Sequence, residues 1–99
     1  MPERVGSGTA VGPGKMKAFD VAGTAVAVAN VGGQLFAFDD TCTHQGCSLA
    51  DGDLDGMVVE CACHGSRFDI RSGEVLGGPA TRPIGTHTVA VEGSDLLVS

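Results

Sequence analysis

The chain has 99 residues, twelve Asp and Glu against six Lys and Arg, and a formal charge of −6. A chain this acidic, with no Lys/Arg cluster, repels phosphate backbones and anionic lipid, so nucleic acid and membrane surfaces are excluded as partners. Hydrophobic content of 42% excludes a disordered tail, and sixteen Gly and four Pro leave only Gln34–Gln45 as a twelve-residue stretch free of both. Long helices, bundles and a membrane-spanning helix are therefore excluded. No apolar leader stretch is visible near the N-terminus, which sets the expectation of a cytoplasmic protein without a membrane anchor.

In chain order, Val5 and Lys15–Val21 are weak strand candidates. Thr24–Val31 and Gln34–Asp39 flank Gly32-Gly33, a pair suited to a tight hairpin turn. Val26 and Val28 fall on one face of their strand, and Phe36 and Phe38 on one face of theirs. A short helical turn is expected near Leu49. Met57–Glu60, Arg67–Ile70 and Thr86–Val91 read as further strands, and Leu96–Val98 returns onto Thr86–Val91 after the turn at Glu92–Asp95. The expected class is all-β and antiparallel, with residues 1–99 forming one domain.

All four cysteines and two of the three histidines lie in two short clusters. The first is Cys42-Thr43-His44-Gln45-Gly46-Cys47 and the second Cys61-Ala62-Cys63-His64-Gly65-Ser66. Each follows an expected strand and opens a glycine-containing loop. A Cys-x-His and a Cys-x-x-His supply two thiolates and two imidazoles. That donor set suits tetrahedral zinc, and equally an iron–sulfur cluster with two histidines on one iron. Ligand softness leaves both open, although a closed zinc site has no use for the second cysteine pair.

Cys42-Thr43-His44 and Cys61-x-x-His64-Gly65 resemble the two-loop motif of the Rieske [2Fe–2S] family. The likeness extends to Phe36–Thr41, Leu49–Gly52, Val58–Glu60, Phe68-Asp69, Ser72–Glu74, Pro79, Pro83-Ile84 and Val89–Val98, and so covers nearly the whole chain. It implies an antiparallel β-sandwich with a two-loop cluster-binding subdomain, the loops spanning about 40–52 and 61–83. It implies one [2Fe–2S] cluster, with Cys42 and Cys61 on the inner iron and His44 and His64 on the outer. Cys47 and Cys63 match a pair that forms a disulfide between the loops in the cytochrome-complex members; many oxygenase-type members lack it.

Ser66 matches a serine that hydrogen-bonds the cluster in high-potential members, whereas Phe68 stands where those members carry tyrosine. One donor kept and one lost implies an intermediate potential within the family's range of roughly −150 to +300 mV. Gln45 occupies a loop-tip position that is usually apolar in members that oxidise quinol, which argues against that role. The implied function is a one-electron carrier, not an enzyme, passing electrons from a reductase to an oxygenase of the ring-hydroxylating type. Two other readings are a Rieske subunit of a larger redox enzyme such as nitrite reductase, and a zinc-stabilised binding module.

Three remaining features have plainer readings. His87 reads as a surface or structural histidine within a strand. Gly77-Gly78-Pro79 resembles the family's proline loop over the cluster. Asp51, Asp53 and Asp55 open like an EF-hand, but Ala62 replaces the bidentate Glu, so a solvated acidic turn is expected.

Overall fold

The computed structural model describes residues 3–43, 46–63 and 65–99. It contains eleven strands among those residues: β1 (Glu3–Ser7), β2 (Met16–Val21), β3 (Thr24–Val31), β4 (Gln34–Asp39), β5 (Asp53–Asp55), β6 (Val58–Glu60), β7 (Arg67–Asp69), β8 (Val75–Gly77), β9 (Thr86–His87), β10 (Val89–Glu92) and β11 (Asp95–Val98). A single 3-10 turn, Leu49–Asp51, is the helical turn expected from the sequence. Every pairing is antiparallel, in three sheets ordered β1-β11-β10, β2-β3-β4-β9 and β5-β6-β7-β8.

The second sheet is the middle of the molecule. Gly32 and Gly33, both with positive φ, turn β3 into β4 with Val31 opposite Gln34, as the Gly-Gly pair predicts. Strand β3 is buried on both faces. Val26 and Val28 join Val11, Ala37, Leu96 and Val98 in one core, against the first sheet. Ala27 and Ala29 face the other way, into a core with Phe38, Leu49, Val59, Phe68 and Ile70. The register sets Ala27 opposite Phe38 and Ala29 opposite Phe36, so a small side chain lies beside each ring. That pairing of large with small leaves room for the third sheet to pack closely, as interior density requires.

Three expectations need correction. Thr86–Val91 is two strands: β9 pairs with β4 and β10 with β11. Between them Thr88 exchanges both backbone hydrogen bonds with Ser99 (3.0 and 2.9 Å), so the chain changes sheets at that residue. Asp53–Asp55 is an edge strand, where an acidic turn was expected. Leu54 faces inward while Asp53 and Asp55 are exposed, and pairing with β6 outweighs the poor strand propensity of Asp. Strand β8, which the sequence reading passed over between glycines, forms because β7 offers it a partner edge.

The 3-10 turn ends at Gly52, whose N–H donates to the Leu49 carbonyl at 3.0 Å. A Cβ there would run into the carbonyl of Glu60 on β6. Gly52→Ala should therefore destabilise the fold by about 1–3 kcal/mol, the usual range for forced overpacking. Gly77→Ala, where a Cβ meets nothing within 4 Å, should stay within about 0.5 kcal/mol of the parent. Urea unfolding of the two variants checks the contrast.

Candidate metal centre

Two loops project from the third sheet's side of the middle layer, and their backbones follow one plan. In the first, the Cys42 N–H donates to the Cys47 carbonyl (2.9 Å) and the Gly46 N–H to the Cys42 carbonyl (2.8 Å). In the second, the Cys61 N–H donates to the Ser66 carbonyl (2.8 Å) and the Gly65 N–H to the Cys61 carbonyl (3.0 Å). Each loop thus closes from its cysteine to the fifth residue on, with a glycine at the fourth. Gly46 and Gly65 have φ of 74° and 76°, a conformation that glycine adopts without a Cβ penalty. Cys42 and Cys61 hold equivalent places in the two loops and are 2% and 3% exposed.

Cys47 and Cys63 form a disulfide between the loops, with Cα atoms 6.5 Å apart, as the resemblance implied. Cys63 is exposed and Cys47 half-buried, so the bridge lies near the surface. The sulfurs of Cys47, Cys61 and Cys63 lie within 4.8 Å of one another. They are not a ligand set, because bridged sulfurs are no longer thiolates. Cys42 and Cys61 are the cysteines outside the bridge. His44, His64 and Gln45 lie outside the described residues.

The first loop is anchored by a residue that the sequence reading gave no role. Asp40 is 6% exposed, and its carboxylate accepts from the Ser48 hydroxyl (2.5 Å) and the Ala50 N–H (2.8 Å). Its backbone donates to Ala25 on β3 (3.0 Å) and accepts from Leu49 (2.6 Å). A bridge between Thr41 and Ser48 closes the loop base. The available signal was an Asp ahead of the Cys-x-His with a Ser eight residues later, but only the fold brings them together.

A third segment, residues 78–85, clasps both loops. Gly78 lies against the second loop, where a Cβ would come within 2.6 Å of the Ser66 Cα. The Ser66 hydroxyl, fully buried, accepts from the Ala80 N–H at 3.1 Å. The first loop is held by the Thr43 hydroxyl, which donates to the Arg82 carbonyl at 2.7 Å. The Ile84 N–H ties the far end to Gly73 (2.9 Å), in the β7–β8 turn. In that turn the Arg71 guanidinium donates to Asp69 (3.1 Å) and holds its carboxyl below the usual carboxylate range. The proline-loop expectation for Gly77-Gly78-Pro79 thus matches a covering segment, while the stretch 61–83 resolves into a loop, the β7–β8 hairpin and this clasp.

Phe68 is fully buried in the core with Cys42, Cys61 and Leu49. His87, on β9, pairs through Nε2 with the Asp39 carboxylate at 2.7 Å, and the Gly85 N–H donates to the same carboxylate at 3.1 Å. That is the structural histidine expected from the sequence.

The donor chemistry fits a [2Fe–2S] cluster. Two buried thiolates with neutral imidazoles give an oxidised centre of zero net charge, which a site without a buried cation among its described residues can hold. The buried Ser66 hydroxyl accepts one hydrogen bond and keeps its proton to donate.

Comparisons agree with this geometry. Residues 2–91 match the Rieske [2Fe-2S] domain family. The chain is 42% identical over 86 residues to the ferredoxin component of biphenyl 2,3-dioxygenase from Rhodococcus jostii (strain RHA1), covering 87% of this chain and 80% of that protein. It superposes with a TM-score of 0.94 and 33% identity on the ferredoxin of carbazole 1,9a-dioxygenase from Nocardioides aromaticivorans IC177, covering 100% and 97% of the two chains. A chain from a complex of reduced oxygenase and oxidized ferredoxin in carbazole 1,9a-dioxygenase gives 0.91 and 35% identity, covering 99% and 92%. The family match spans most of the chain and carries both cysteine loops, so this protein belongs to the Rieske [2Fe–2S] family.

Proposed function

We propose that the protein is a one-electron carrier, a Rieske-type ferredoxin that takes electrons from a reductase and delivers them to a ring-hydroxylating oxygenase. The observation that carries this reading is the pair of matched loops, each with one buried cysteine, clasped by residues 78–85. Relatives named as dioxygenase ferredoxin components support the setting. The nitrite-reductase reading has no comparable support at high identity. A zinc module leaves the clasp and the buried Ser66 hydroxyl without a purpose. Residues 1–99 are read as one functional unit, since the middle sheet shares a core with each of the others. Its compartment is taken to be the cytoplasm.

The cluster supplies reversible one-electron chemistry. Cys42 and Cys61 are assigned to the inner iron and His44 and His64 to the outer. Two imidazoles in place of two thiolates remove two negative charges from the ligand set, so electron uptake is less opposed. Ser66, held by Ala80, is assigned to donate to a cluster or ligand sulfur and withdraw electron density. Phe68 fills the core and offers no donor. Asp40 and the disulfide pin the two loops, which serves a carrier whose ligands must change little as the electron comes and goes. Net charge of −6 steers the carrier toward a basic docking face.

Purified protein should contain two irons and two acid-labile sulfides per chain, and the reduced form should give a Rieske-type EPR signal. It should pass electrons from a flavin reductase to a dioxygenase oxygenase. Zinc without sulfide, and no colour, would overturn the reading. In potential titrations, Ser66→Ala should lower the potential, and Phe68→Tyr should raise it by adding a phenol donor. An unchanged potential in both would remove the tuning roles.

The disulfide yields a separate expectation. Cys47→Ser with Cys63→Ser should still assemble the cluster while losing about 3 kcal/mol of stability, the loop-closure value for a bridge sixteen residues apart. Denaturant unfolding measures the loss. Mass spectrometry of unreduced peptides should find Cys47 joined to Cys63.

A further inference from the structure

We infer that Arg82 is a docking cation, which receives a side-chain carboxylate of the electron-accepting oxygenase beside the cluster. Its backbone is fixed from four directions. Two residues before it, Ala80 is 4% exposed and bonded to Ser66; two residues after, Ile84 is 4% exposed and bonded to Gly73. Its own carbonyl accepts from Thr43. Pro83 follows, which restricts Arg82 to extended backbone. Between these anchors the side chain stands exposed.

The other cations are engaged or distant. Arg4 pairs with Asp95 (2.6 Å), Arg67 with Glu60 (3.9 Å) and Arg71 with Asp69 (3.1 Å), while Lys17 lies over the Phe19 ring at 5.6 Å. Lys15 bonds through its carbonyl to the Asn30 N–H. Asn30 lies five residues along β3 from Ala25, about 17 Å at strand rise. Among the described residues Arg82 is thus the one cation without an ion pair at the cluster end.

It also borders a groove of about 380 Å³ lined by Thr24, Ala25, Asp39, Thr41, Cys42 and Thr43. Asp39 lines the same groove, but its carboxylate is turned to His87 and Gly85, and among the described residues it makes no ion pair with Arg82. The groove therefore leads past an unpaired guanidinium to a cysteine assigned to the inner iron. A partner carboxylate seated there would meet a bidentate donor fork on a backbone that is already ordered, so only the side chain has to be fixed on docking. The acidic surface brings the carrier to a basic face at long range, and Arg82 then sets the register at close range.

The inference rests on the carrier reading, and its test separates the two. Reduced holoprotein is oxidised by ferricyanide, a trivalent anion, in stopped flow at 0.1 M ionic strength, where charges beyond about 10 Å are screened. Arg82→Gln should slow that oxidation by about threefold. Lys15→Gln, with the same change in net charge, should not slow it. The EPR signal should be unchanged in both variants. The potential should fall only in Arg82→Gln, which loses a cation beside the cluster. A lower potential by itself speeds oxidation, so a slower rate still reports poorer docking of the anion. Equal effects of the two, or no effect of either, would overturn the local role of Arg82, whether or not any oxygenase accepts electrons. With the oxygenase that the wild-type carrier reduces, Arg82→Gln should lower the second-order transfer rate. Arg82→Lys should match wild type toward ferricyanide and recover the oxygenase rate only in part, since it keeps the charge but loses the fork. A loss confined to the reductase step, or none with the oxygenase, would overturn the assignment of the partner.

Discussion

The Cys47–Cys63 bridge is the constraint on which the site depends. Each loop closes on itself through two backbone hydrogen bonds. Their mutual placement is a different matter. The chain between them is a 3-10 turn and the β5–β6 hairpin, whose strands are three residues each and put the buried Val59 and the half-buried Leu54 into the core. Such a short hairpin is marginal by itself. The bridge fixes one separation between the loops. Residues 78–85 fix a second, through Ser66 on one side and Thr43 on the other. The clasp alone still brings both loops within reach of one cluster; the bridge adds the second separation and so narrows and stabilises the geometry in which the ligands are held.

The support beneath the loops follows from how β3 divides its side chains. Valines at 26 and 28 thicken the core on the side away from the loops, and alanines at 27 and 29 thin it on the side toward them. Phe38 and Phe36 occupy the space the alanines leave. Leu49, fully buried, then plugs the first loop into that core, while Asp40 ties the same loop to the end of β3. The loop is therefore mounted on the most buried strand of the molecule. A buried carboxylate is costly when unpaired, and here its two donors come from the segment it must hold. Removing it would both free the loop base and leave the Ala50 N–H and Ser48 hydroxyl without their acceptor.

Much of this was legible in the sequence. The Gly32-Gly33 hairpin, the turn at Leu49 and the two cysteine loops are each carried by residues close together in the chain, where local chemistry decides. The disulfide was legible through family likeness alone, because loop spacing does not say which cysteines meet. The strands that escaped notice, Asp53–Asp55 and Val75–Gly77, are stabilised by a neighbouring strand edge, and their own residues argue against them. The break at Thr88 escaped for a similar reason. Its cause is the partner Ser99, eleven residues away, and the run Thr86–Val91 reads as one uninterrupted strand. Thr43 has a role that exists only once the distant residue Arg82 is in place, and the Asp40–Ser48 pair, though near in sequence, gains its meaning only when the loop folds back.

Charge is arranged so that a centre that changes charge by one can sit in an acidic protein. Of the carboxylates flanking Cys42, Asp40 accepts from the donors it holds in place, and Asp39 is held by His87 and Gly85. Neither is left pointing at Cys42 without a partner. The exposed acids Asp53 and Asp55 lie on the outer edge of the third sheet and Asp51 at the end of the 3-10 turn, where water screens them. An unpaired carboxylate beside the site would oppose electron uptake directly, through a medium of lower dielectric than water. The same acids placed at the rim still contribute to the long-range field that a basic partner meets. Separating the two populations lets the chain keep its net charge of −6 for encounter while the ligand set and the donors beside it, Ser66 among them, govern how readily the electron is accepted.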